Sequence, residues 1–299
     1  MMLSAKRYLK TISLYPKRLE YLLSDEDPAT KPIQPDALPA LGAVVQPQGH
    51  RHANRHVAPS ERQYAAHFVA WRARLALMDD KQYDLSQATF EEFVTFLFDH
   101  EVMSLPPAGS VGPEPWYWHA DVTFDPMRMA SLYIRLFTQP RFLLQQFSLA
   151  QLEQGFWAVQ SPTLECAVTE IIWDQRLPFE LRERCVRSMF HLYELLFSDT
   201  PLETSSEMWW DSLAYDWHCG IRARANGGED LLMQDVIFET LGKILQLPSG
   251  TSQAAALHGL GHLHHPDTNT LIVAYLAQHP EISDDLREYA QAAARFEVL

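Results

Sequence analysis

The sequence predicts an all-α protein. Apolar residues recur at helical spacing through most of the chain from residue 60 onward. Short clusters of Pro, Gly and Ser separate the helical stretches. No strand-length run combines convincing alternation with a hairpin signal. Helices joined by turns of a few residues pack as antiparallel neighbours, so the expected architecture is helical hairpins.

The chain has 299 residues, 47% apolar and 21% charged, the balance of a globular protein rather than a disordered one. Residues 1–23 read as a short amphipathic helix. They are basic but interrupted by charges and by Pro16, and lack the continuous apolar core of a secretory signal. No apolar run approaches the about 20 residues of a membrane span, so no membrane partner is expected. The net charge of −14 argues against nucleic acid, which needs a concentrated positive surface, and favours a basic partner. Cys166, Cys185 and Cys219 are odd in number and widely spaced, so neither a disulfide framework nor a Cys-rich zinc site is expected. A reducing cytoplasm is the expected compartment.

Three regions are expected: an N-terminal helix and Pro-rich arm (1–59), a helical region (60–160) and a repeat-like helical region (161–299). Pro28, Pro32, Pro35, Pro39, Pro47 and Pro59 make 25–59 a linker or extended arm, because proline removes a donor and clashes inside helices. Ser60 with Gln63 opens a helix whose stripe is Tyr64, Phe68, Trp71, Leu75 and Met78. A second helix is expected from Ser86 to Met103, buried through Phe90, Phe93, Val94, Leu97 and Phe98. Pro and Gly break the pattern over 104–125. Met129, Leu132, Tyr133, Leu136 and Phe137 then form one stripe, and short helices follow, split near Ser148. Pro162 and Pro178 suit helix first turns, and Ser205-Ser206 suits a cap before Trp209 and Trp217. Gly227-Gly228 reads as a turn. Four helices near 230–247, 252–264, 268–279 and 283–297 complete the chain.

Small residues Ala255, Ala256, Gly259 and Gly261 with Leu257, Leu260 and Leu263 lie ahead of the breaker Pro266. Leu271, Ile272, Tyr275 and Leu276 follow on a returning helix. This segment resembles a HEAT-type (armadillo-like) helical repeat. A weaker echo, Phe238, Leu241, Gly242 and Ile244, lies 19 residues upstream, about half the ~40-residue HEAT period. It therefore relates consecutive helices. The resemblance implies a stacked α-solenoid and protein binding along a concave face, and carries no catalytic residues.

His258 and His262 stand at i and i+4, a spacing zinc can use, near His264 and His265. The zincin pattern needs a Glu after the first His, where Gly259 stands. Structural or surface histidines are the favoured reading, and no metal or cofactor is expected. The alternative is a metal-dependent enzyme using the pair with carboxylates from a neighbouring helix. His50, His52 and His56 form a second cluster in the Pro-rich arm. Cys219 adjoins His218, but neighbours on a helix point about 100° apart, so no nucleophile–base pair is pre-formed.

Aromatic residues among acids give the candidate partner-binding set: Trp116, Trp118, Trp209, Trp210, Asp211, Asp216 and Trp217. Trp209 and Trp210 are adjacent, so one of them is expected at an edge or surface. The expected function is a non-catalytic binding or scaffold protein with an acidic surface. A sharper version is an immunity or inhibitor protein for a basic partner. A plain subunit of a larger assembly is the third reading.

Overall fold

The computed structural model describes residues 81–103 and 114–298. The basic N-terminal patch, the Pro-rich arm with His50, His52 and His56, the helix expected from Ser60, and the loop 104–113 lie outside the described residues.

In chain order β1 is Lys81–Asp84, α1 Phe90–Phe98, β2 Ala120–Thr123, α2 Pro126–Thr138, α3 Leu143–Gln146, α4 Leu149–Gln160 and α5 Val168–Trp173. There follow α6 Phe179–Leu192, α7 Asp211–His218, α8 Gly228–Leu245, α9 Gly250–Leu263, α10 Thr268–Gln278 and α11 Asp284–Ala294. The described chain is predominantly helical, as expected. A small parallel pair was not expected: β1 runs beside β2, with Lys81 opposite Ala120 and Asp84 opposite Thr123. Each strand spans four residues, too few for period-two alternation to stand out.

Local chemistry sets the helix boundaries. Thr89 and Glu92 form a capping box, so α1 starts there and not at Ser86, whose amide is held by Asp84 in the preceding turn. Asp125 caps α2 with Pro126 in its first turn, and Ser148 with Gln151 caps α4. Pro162 leads into turns, and α5 begins only at Val168. Ser205 and Ser206 do not cap a helix. Ser205 gives both its amide and its hydroxyl to Glu153 on α4, while the Ser206 hydroxyl receives the amide of Leu202.

The helices pack in two rows. In one, α2 lies on α6, α6 on α8, and α10 lightly on α8. In the other, α7 lies on α9 and α9 on α11. The close cross-row pairs are α8 with α9 and α10 with α11, not the α9–α10 pair that the repeat-like segment suggested. Small residues on α9 explain this. A Cβ on Gly259 would lie 2.7 Å from the Cβ of Trp210 and 2.9 Å from Leu241 Cδ2, and one on Gly261 would press on Val298. The bare backbone of α9 thus receives the entry to α7, a side chain of α8 and the chain end after α11. One continuous apolar core runs from Leu85 to Val298. No helix among the described residues is long and apolar enough to cross a membrane.

Candidate functional site

Trp209 and Trp210 are both fully buried, which corrects the expectation that one lies at a surface. The segment before α7 threads the interior, so both directions are core. Trp209 meets Phe137, Phe156 and Phe197 edge-on, and Trp210 lies nearly parallel to Tyr193. Asp211, Asp216 and Trp217 are buried as well. Of the expected partner-binding residues, only Trp116 and Trp118 are half-exposed. Trp116 stacks on His100 at 3.7 Å and meets Phe96 edge-on. Glu114 pairs with His119 beside them, and Asp121 is exposed.

The burial of Trp210 carries Asp211, the first residue of α7, into the interior. There it meets the histidine pair of α9. His258, His262 and Asp211 are 3%, 1% and 4% exposed, so the histidines are not on a surface. Asp211 Oδ1 lies 2.7 Å from His258 Nε2 and 3.9 Å from His262 Nε2. One ligand atom from each of the three residues falls within 4.8 Å of the others. The second nitrogen of each ring is also engaged. His258 Nδ1 meets the Tyr289 hydroxyl of α11, and His262 Nδ1 lies 3.3 Å from Nδ1 of His218, on the last turn of α7.

The electrostatics differ along this row. Burial opposes charge on His258, but the Asp211 carboxylate, helped by Glu207, outweighs it and holds its pKa above the usual histidine value. Burial, reinforced by His258, His218 and His264, pushes His262 down to about 2, so it is a neutral imidazole. Burial also lowers His218, and burial raises Tyr289.

The neighbouring histidines have separate duties. His264 ends α9 in a left-handed conformation, with φ 53°, and stacks on Phe296. His265 stacks on Phe238. It accepts the Asp267 amide on Nδ1, which leaves Nε2–H to donate to Asp235. Cys166 and Cys185 are buried core thiols pushed up to about 12. His218 turns its ring toward His262 and Tyr215.

The surface carries clefts away from the triad. One of about 180 Å³ lies between Tyr193, Leu202, Glu207 and Thr251. One of about 460 Å³ is lined by Ile134, Arg184, Phe190 and Lys243 among others. Neither is lined by Asp211, His258 or His262. The triad is a buried arrangement suited to holding an ion or a proton.

Sequence reasoning singled out His258 and His262 and named a neighbouring helix as the source of a carboxylate. It assigned Asp211 to a different role, and it did not find His218 or Tyr289 as their supports. Comparison with protein-family models, curated proteins and solved structures finds no match.

Proposed function

We propose that the protein is a non-catalytic binding protein that uses an acidic, stacked-helix body of HEAT-like type to hold a basic protein partner, as an immunity or inhibitor protein would. The charge distribution carries this reading. The first 80 residues hold 11 Lys or Arg against 8 Asp or Glu, and the rest hold 13 against 30. Much of the basic complement of the helical body is already used internally. Arg182, Arg187, Arg222 and Arg224 each pair with a carboxylate. An unopposed acidic surface steers a basic partner and weakens with salt. The two-row helix packing supports the solenoid reading, and the half-exposed Trp116–Trp118 segment with Asp121 supplies aromatic anchors beside charge.

Co-expression with the product of the adjacent reading frame tests this. A stoichiometric complex is expected that loosens as salt rises. Trp118→Ala and Asp121→Lys are each expected to weaken it at least tenfold. A chain that elutes alone at low salt, or variants that bind as wild type, removes the reading.

One observation favours a second reading, a metal-dependent enzyme: Asp211 does converge on His258 and His262. The burial of all three residues weighs against it, because a substrate would need to reach them. Turnover of any substrate that requires both histidines would overturn the binding-protein reading.

A further inference from the structure

The geometry points to a structural divalent-metal centre of zinc type in which Asp211, His258 and His262 are the ligands, cross-bracing α7 to α9. The inference is independent of partner binding.

The donor set comes first. Two imidazole nitrogens and one carboxylate oxygen form a ligand group that borderline ions such as zinc take readily, whereas magnesium and calcium prefer oxygen alone. The spacing comes next. Ligands about 2.0–2.2 Å from a tetrahedral ion stand about 3.3–3.5 Å from one another. The two nitrogen–oxygen separations, 2.7 and 3.9 Å, straddle that value. A shift of Asp211 away from His258 and toward His262 would even them out.

The supporting groups are also in place. A metal-binding histidine almost always commits its second nitrogen to a polar partner, which fixes its tautomer and ring plane. Here both rings direct Nε2 toward Asp211 while Nδ1 is occupied, by Tyr289 for His258 and by His218 for His262. Finally, Nε2 of His262 is buried and makes no hydrogen bond. A buried polar atom left so costs stability unless something binds it.

The test is metal analysis of the full-length chain, made without a histidine tag and dialysed after exposure to zinc. About one zinc per chain is expected to survive dialysis and to leave with a strong chelator. Asp211→Asn and His262→Gln are expected to abolish retention, while the half-exposed His191→Gln keeps it. Because either ligand variant could unfold, wild-type protein provides the second measurement. Zinc or cobalt should raise its melting temperature, magnesium should not, and bound cobalt should show visible absorption typical of low-coordinate nitrogen–oxygen ligation. Retention by a folded His262→Gln protein overturns the proposal. So does loss of the metal on replacing His50, His52 and His56 with alanine, or failure of wild type to retain zinc or be stabilised by it.

Discussion

Two polar clusters meet at α7 and solve the problem of charge in the interior in opposite ways. At the junction of α6, α7 and α8, Asp216, Asp230 and Glu229 each meet a guanidinium. Arg222 spans Asp216 and Asp230 while lying 3.3 Å over the Trp173 ring, and Arg182 reaches Glu229 while bonding the carbonyls of Ile172 and Leu177. Between α7, α9 and α11, Asp211 meets imidazoles. Arginine is charged under all ordinary conditions and brings five fixed donors, so the first cluster is complete as built. Imidazole can be neutral or charged and can also ligate a metal, so the second has more than one filled state. The difference separates a fastening from a site.

The largest effect expected from breaking the comparison is at Arg182, whose guanidinium is 1% exposed. Arg182→Met should cost about 3 kcal/mol, because two carbonyls and Glu229 lose their donor together. Urea denaturation checks it, and a midpoint unchanged from wild type would remove the fastening role. Next is Gly259→Ala. Its methyl would meet the Trp210 Cβ, which is bonded directly to the backbone and is not a flexible tip, so a loss of about 2 kcal/mol is expected. A shift in the near-ultraviolet dichroism of the tryptophans should accompany it.

Acid should separate the clusters in the metal-free protein. His262 takes no proton in the native state until about 2, but takes one when unfolded below 6.5. Its contribution is therefore full above pH 6.5 and is lost as pH falls, by about 1.4 kcal/mol per pH unit. His258 has the opposite sign: its contribution is present below 6.5 and is lost as pH rises through its elevated native value. Glu229 is held below its usual 4.5 by the Arg182 hydrogen bond, so its contribution persists until pH falls through that lowered value. Stability measured against pH should thus peak near 6.5, and His262→Gln should flatten the limb between 6.5 and 5 while leaving the steeper loss below 4. The smallest effect belongs to Arg222→Lys, which keeps the charge but loses the planar fork and the ring stacking. About 0.5 kcal/mol is expected by thermal denaturation, given the partial exposure of the pair.

The four C-terminal helices were legible within a few residues, because their stripes are long and Gly227, Ser249 and Ser283 punctuate them. Both strands escaped notice because a four-residue strand carries two inward positions at most. Half of the candidate centre was legible. His258 and His262 declare themselves by spacing, but Asp211 lies 47 residues before His258 and Tyr289 lies 31 after it. No local pattern joins positions that only helix packing brings together. Trp209 and Trp210 misled for a related reason. Adjacent side chains do point apart, and the surface inference fails only where the chain passes between two packed layers.

Glu153 shows what that passage requires. One oxygen of this α4 carboxylate takes the amides of Thr204 and Ser205, the Thr204 hydroxyl and the Trp157 indole, and the other takes the Ser205 hydroxyl. The partners on the segment entering α7 lie about fifty residues away along the chain. Contacts of such separation form late in folding, after local hairpins, because a long loop must close before they repay anything. The segment that delivers Asp211 should therefore be among the last parts of the interior to set. Pulse-labelled hydrogen exchange would show the Thr204 and Ser205 amides becoming protected after those of α8 and α9. Simultaneous protection would mean that the rows assemble in one step.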